Sequence, residues 1–400
     1  MNAPLTWEQT ARTLAVEFAS RAPRHDAEGS FPFENFEALH QAGLLILAAP
    51  QALGGQGATL SQLGAVIGAI GYACPATALV LTMQYMQQRS MGRAPPARSW
   101  PEPLARKLVA EAAAGVSLVN ALRVEPELGS PARGGLPATV ARHTPEGWRI
   151  SGHKVYSTGS PILRWYSVWA RTDEAAPRVG NFLVRAGLPG TRILETWDHL
   201  GLRASGSHDV VFDDVLIPLD HALDLRTPSD WAGSEPWVQV EMAVMLGSLY
   251  TGVAQAARDW LVHFLHERKP ASLGAALATL PRAQEALGYI EALLLTNQRL
   301  VASLARDADE GAPLSAVHSG LIKSITTGNA VRAVEQALAL TSNHGLARKN
   351  PLLSNVRISG LDDAPQFGIT VDDRKAGALG AGPGCHCCGV MLQLPSSHAC

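Results

Sequence analysis

A chain of 400 residues is too long for one ordinary hydrophobic core and suits two or three packed units. Its 46% hydrophobic and 17% charged content excludes a disordered protein, and a net charge of −2 predicts no electrostatic binding to nucleic acid or anionic lipid. The opening stretch MNAPLTWEQTARTLAVEF lacks the basic region and apolar run of a secretory signal, and four of the five cysteines crowd into Cys385–Cys400, so a protein of the reducing cytoplasm is expected.

Residues 1–116 read as a helical domain. Apolar positions recur at helical spacing over Trp7–Ala19, Phe33–Leu45 and Leu60–Ile70, and the glycine-rich loop Pro50–Gly57 separates the last two. The uncharged run Leu63–Met83 is long enough to cross a bilayer. Gly64, Gly68, Gly71, Tyr72, Thr77 and Thr82 interrupt it, however, and Pro75 breaks a helix near its middle. Two buried helices joined at Cys74-Pro75 are expected there, with no membrane span and with Cys74 as a small buried hydrophobe.

The texture changes over residues 117–225. Ser117–Leu122, Thr139–His143, Trp148–Ser151, Trp165–Arg171, Asn181–Arg185 and Val210–Phe212 are short β-rich runs separated by Gly, Pro or Asp clusters. Strands at this spacing predict a compact antiparallel barrel or sandwich. Over residues 226–375 the helical period returns in Val238–His266, Leu280–Asp307 and Leu314–Thr341, which predicts a helical bundle. Residues 376–400 read as a flexible glycine- and cysteine-containing tail. Its single C-x-x-C, Cys385–Cys388, lacks the second spaced ligand pair of a structural zinc site, so no metal is expected.

Two segments of the β region carry possible chemistry. In Val124-Glu-Pro-Glu-Leu-Gly-Ser130, glycine and serine follow an acidic turn, where backbone N–H groups and a hydroxyl suit phosphate oxygens. In Lys154-Val-Tyr-Ser-Thr-Gly159 an aromatic precedes a hydroxyl by two residues, an arrangement able to cover a planar ring with Tyr156 and hydrogen-bond its edge with Thr158. Gly-Ser turns and Thr-Gly strand ends are also common structural features, so each segment alone keeps a plain structural reading.

Order and separation add to these segments. Pro50–Gly57 resembles the "PEEYGG.G" loop of acyl-CoA dehydrogenases, Val124–Ser130 their "TEPxAGSD", and Gly152–Thr158 their "GxKxWIT". Leu200–Ser205 followed by Val211–Pro218 is similar to "LGxRxSxxxxxxFxDVxVP". Glu267-Arg268 with Leu273-Gly274 resembles "ERxxFG", and Gly345–Pro351 resembles "GYxxxxP". The resemblance spans about residues 30 to 357. It implies a mainly α, α+β architecture of N-terminal helical domain, middle β-barrel domain and C-terminal four-helix bundle, binding FAD in a homo-oligomer, a dimer or tetramer. By the same resemblance Thr158 meets flavin N5, Tyr156 takes the place of the tryptophan beside the ring, and the Leu122–Val124 backbone and Ser130 meet the flavin and its phosphates. Arg268 reaches the FAD diphosphate of a neighbouring subunit. The implied reaction is α,β-dehydrogenation of an acyl-CoA, with an electron-accepting flavoprotein or oxygen as partner.

That chemistry needs a carboxylate to remove the α-proton. Counting from Arg357 to the usual position of the base reaches Gln366, which cannot take a proton. On the first long C-terminal helix the nearest carboxylate is Glu241, one residue out of register, and one residue turns a helix face by about 100°. Glu241 is therefore either the base or a solvated residue favoured by the helix N-terminus. Asn355–Asp363 also resembles flavin-dependent monooxygenases of the same fold, in which reduced flavin activates oxygen and no such base is needed. A flavin-binding subunit without catalysis is the third expectation.

Overall fold

The computed structural model describes residues 5–93, 100–127, 136–231, 236–345, 347 and 350. Five helices come first: α1 (Trp7–Glu28), α2 (Phe33–Gln41), α3 (Leu60–Ala73), α4 (Pro75–Arg93) and α5 (Glu102–Ala114). Then follow the strands β1 (Leu118–Leu122), β2 (Val140–Thr144), β3 (Gly147–Lys154), β4 (Leu163–Thr172), β5 (Val179–Arg185), β6 (Thr191–Leu194), β7 (Asp209–Ile217) and β8 (Ala222–Arg226). The long helices α6 (Pro236–Glu267), α7 (Pro281–Asp309) and α8 (Ala316–Thr341) complete the described order.

The expected break at Cys74-Pro75 separates α3 from α4, and Cys74 is buried. Proline suits the first position of α4 because that N–H has no helical partner in any case. No helix among the described residues is long and apolar enough to cross a membrane. The first turn of α3 has its amides accounted for. Thr59 and Gln62 form a capping box, and the Asp309 carboxylate at the end of α7 takes the amides of Leu60 at 2.7 Å and Ser61 at 3.0 Å.

The strands form one eight-stranded sheet in the order β6-β7-β3-β2-β4-β5-β8, with β1 also on β4. The antiparallel expectation needs correction, because β4 runs parallel to both β1 and β2. Strand direction depends on the return path of the chain, which local alternation does not carry. β4 is buried continuously from Trp165 to Ala170, as a central strand covered on both faces should be. Two strands, β6 and β8, went unpredicted. The first is four residues, mostly exposed, and the second carries Asp224 in a left-handed conformation, so neither shows clean alternation.

One continuous apolar core unites the three regions, running from Phe18 and Ile67 through Phe182 and Val210 to Val244 and Ala333. Helix α6 presses against α3 closely enough that a Cβ on Gly252 would stand 2.4 Å from the Gly68 carbonyl oxygen. Helix α4 lies between the sheet and α6: its Gln84 accepts the Val119 amide of β1, and its Arg89 meets α6.

Candidate functional site

Three segments converge where β3 ends. Val155 donates its amide to the Val124 carbonyl at 3.0 Å, Ser157 to His208 at 3.1 Å, and Gly159 to Ser205 at 2.9 Å. Beneath them Lys154, fully buried, holds Glu125 at 2.6 Å, and Glu125 also accepts from the Ala138 and Thr139 amides and the Thr139 hydroxyl. Burial pulls the Lys154 ammonium down to about 8 against the upward pull of Glu125. Burial pushes Glu125 up, but Lys154 and Thr139 outweigh it and hold the carboxyl below its ordinary value. Both are therefore charged at neutral pH, and the pair latches residues 124–125 to β3 and to the start of β2.

On this floor stands a group of hydroxyls. Thr158, buried, accepts from Ser207 Oγ at 3.1 Å, and Ser207 Oγ lies 2.7 Å from Ser205 Oγ. Asn120 on β1 donates to the Thr158 carbonyl at 3.0 Å and fixes the backbone. The Ser157 hydroxyl is buried with no hydrogen-bond partner. Tyr156 sits at φ +56°, a strained conformation for a side chain of its size, and packs edge-on to Trp197 and His199. Trp197 and His199 stack at 3.8 Å. Burial lowers the His208 imidazole below its ordinary value, and its Nδ1 accepts the Trp197 amide at 3.1 Å. The ring is accordingly neutral, with its proton on Nε2. A planar heterocycle with nitrogen and oxygen on its edge would find hydroxyl donors and an aromatic neighbour here, so the residues present fit a flavin ring.

Of the expected flavin residues, Val124, Tyr156 and Thr158 lie in this convergence, and Leu122 ends β1, opposite Val168 of β4. Ser130 and Gln366 lie outside the described residues, as do Arg357 and the cysteine-rich tail. Arg268 follows the last turn of α6 and is exposed, about 40 Å along that helix from Glu241 at 1.5 Å per residue. His344 tilts against Phe264. Among the described residues no cluster of His, Cys, Asp and Glu is able to hold a metal ion.

Glu241 is not a solvated helix-end residue. It is 1% exposed, and Arg89 on α4 donates to Oε1 at 2.5 Å. The solvated reading rests on its place in the first turns of α6; the turn that matters is the one facing α4. Burial raises the carboxyl to about 6, although Arg89 pulls it down. Arg89, Asn120, Ser205 and Ser207 escape sequence analysis. Only Ser205 has a signal, as the last residue of the quoted Leu200–Ser205 motif.

The comparisons agree with this layout. The acyl-CoA dehydrogenase N-terminal, middle and C-terminal domain models match residues 5–91, 123–215 and 244–357. The chain belongs to the acyl-CoA dehydrogenase family. Membership makes it a flavoprotein oxidoreductase of the acyl-CoA dehydrogenase fold. This family member is 30% identical to the putative acyl-CoA dehydrogenase YdbM of Bacillus subtilis, over 93% of its own length and 96% of the relative's. It is 31% identical to the L-evernosamine nitrososynthase of a Micromonospora species, over 95% and 92%. Among solved structures it resembles KijD3 in complex with FMN and dTDP-3-amino-2,3,6-trideoxy-4-keto-3-methyl-D-glucose. That match has a TM-score of 0.77 and 27% identity, over 94% of this chain and 95% of KijD3. The acyl-CoA dehydrogenase family thus supplies two kinds of full-length relative, and the choice between them falls to the chemistry of the site.

Proposed function

We propose that the protein is a flavin-dependent monooxygenase acting on a small amine. The observation that carries this reading is the engagement of Glu241 with Arg89. If Glu241 removed a substrate proton, the guanidinium of Arg89, itself 7% exposed, would become a buried cation without its counter-charge. The side chains that hydrogen-bond to Thr158 are the Asn120 amide and the Ser207 hydroxyl, and the Glu125 carboxylate beneath them is held by Lys154 and Thr139. Proton abstraction beside a thioester carbonyl needs a free carboxylate, whereas oxygen insertion does not. The full-length likeness to nitrososynthases and to the FMN-bound KijD3 fits the same choice.

Reduced flavin, when bound, supplies the activation of oxygen. The chain's part is to hold and orient it. Thr158 would donate to the ring nitrogen N5, Tyr156 would flank the ring, and the Leu122–Val124 backbone would border the ring edge. Ser130 would take a phosphate, and Arg268 would reach the diphosphate of FAD bound to another copy in a homo-oligomer, since a guanidinium grips phosphate in bidentate fashion.

A second reading has its own support: a carboxyl raised to about 6 is near the optimum for a base at neutral pH, which suits Glu241 to acyl-CoA dehydrogenation. One experiment separates the two. Full-length protein loaded with FAD or FMN is mixed anaerobically with a panel of acyl-CoAs, and separately supplied with dithionite-reduced flavin, oxygen and a panel of amines. Amine-dependent oxygen uptake yielding an oxygenated product supports monooxygenation; bleaching of bound flavin by an acyl-CoA, lost in Glu241→Gln, overturns it in favour of dehydrogenation.

A further inference from the structure

The three hydroxyls at the site have a defined direction. Each serine or threonine hydroxyl has one proton to give. Ser207 gives its proton to Thr158, so the contact between Ser205 and Ser207 must be made with the proton of Ser205. The chain therefore runs Ser205 to Ser207 to Thr158 and leaves one proton, that of Thr158, with no acceptor among the described residues. All three side chains are buried, with Ser205 at 0% exposure, so water does not readily scramble the order. Hydrogen bonds in such a row polarise one another, and the last donor is strengthened by those behind it.

We infer that Ser207 is a positioning residue: the Ser205–Ser207–Thr158 row is a one-way chain of hydroxyls that aims a proton at the flavin and makes the site prefer oxidised flavin to reduced flavin. This rests on the reading that Thr158 faces N5. N5 of oxidised flavin carries a lone pair and accepts a hydrogen bond. N5 of reduced flavin carries a hydrogen, so Thr158 must turn its own proton aside and offer its remaining lone pair, which costs the outward hydrogen bond that oxidised flavin accepts. Each hydroxyl keeps its own proton, so no charge or proton moves along the row. A preference for the oxidised form lowers the potential of the bound flavin, and a lower potential favours electron delivery to oxygen.

Binding reads this out without turnover. Full-length protein is titrated anaerobically with oxidised and with dithionite-reduced FMN and FAD, and the ratio of reduced to oxidised Kd is compared between variants. Ser207→Ala is expected to lower that ratio about tenfold, equivalent to raising the potential of the bound two-electron couple by about 30 mV. Ser207→Thr, which restores a hydroxyl, is expected to keep the wild-type ratio. Ser205→Ala is expected to shift it in the same direction by less, and carries the test should Ser207→Ala not fold. An unchanged ratio, or one that rises, overturns the chain. Thr158→Val separates the two layers. If it leaves both affinities unchanged, the placement of Thr158 at the flavin fails and the chain with it. If it alters the ratio while the serine variants do not, only the chain fails.

Discussion

Arg89 on α4 and Glu241 on α6 form a buried ion pair, Nε to Oε1 at 2.5 Å, across 152 residues of sequence. The pair ties the N-terminal helices to the first helix of the C-terminal region. Its guanidinium also reaches the Ala58 carbonyl at 3.4 Å, just ahead of α3. Taking both charges out of water is costly, so the pair holds the helices in register more than it adds net stability.

Removing one partner is expected to hurt more than removing both. Arg89→Ala removes the guanidinium that donates to the buried carboxylate and should cost roughly 3–5 kcal/mol by urea denaturation. The double variant Arg89→Met with Glu241→Leu should recover most of that loss. A single variant losing less than about 1 kcal/mol would contradict the burial of the pair.

The pH profile of stability carries the same signature. The Glu241 carboxyl is raised to about 6 in the folded protein, above its ordinary value. Its contribution is therefore fully present below the unfolded pKa and is lost as pH rises through about 6. The loss is on the order of 2 kcal/mol, because each tenfold change in proton affinity is worth about 1.4 kcal/mol. The difference in stability between wild type and Glu241→Gln, followed by denaturation from pH 4 to pH 7 (about the range the group titrates over), should change in wild type's disfavour. A flat difference would contradict the raised carboxyl.

Asp309 ends α7, where the helix dipole disfavours a negative charge, and it is placed there to cap α3 instead. Asp309→Ala should cost about 1 kcal/mol, with Asp309→Asn losing less. Hydrogen exchange reads the effect locally, because the Leu60 and Ser61 amides should lose protection before the rest of α3. Uniform exchange along the helix would speak against the cap.

Gly252 and Gly328 make opposite predictions inside two helices. A Cβ on Gly252 meets the backbone of α3, so Gly252→Ala should destabilise by about 1–3 kcal/mol through overpacking. A Cβ on Gly328 meets nothing within 4 Å, so Gly328→Ala in α8 should stabilise by about 0.5–1 kcal/mol. Paired thermal melts check both signs at once.

Much of the site is open to reading because its parts are local. Tyr156 and Thr158 lie on one turn after β3, and Val124 to Ser130 follow β1 within a few residues, so a short motif carries each. What escapes is what spans the chain. The partner of Glu241 stands in MQYMQQRSM on α4, where nothing in the periodicity of that helix marks Arg89 as buried. Ser207 follows the quoted Leu200–Ser205 motif by two residues, yet its role comes from Thr158, 49 residues earlier.

The run of helices, strands and helices, the break at Pro75 and the resemblance to the acyl-CoA dehydrogenase family are legible without any coordinates. Propensity, periodicity and turn chemistry act within a few residues and survive without the fold. The parallel course of β4 beside β1 and β2, the burial of Glu241 against Arg89, and the meeting of the Ser205, Ser207 and Thr158 hydroxyls emerge only from the packed fold. These depend on desolvation and on contacts between distant segments. A carboxylate is solvated or buried, and a hydroxyl donates inward or outward, only once the rest of the chain has packed around it.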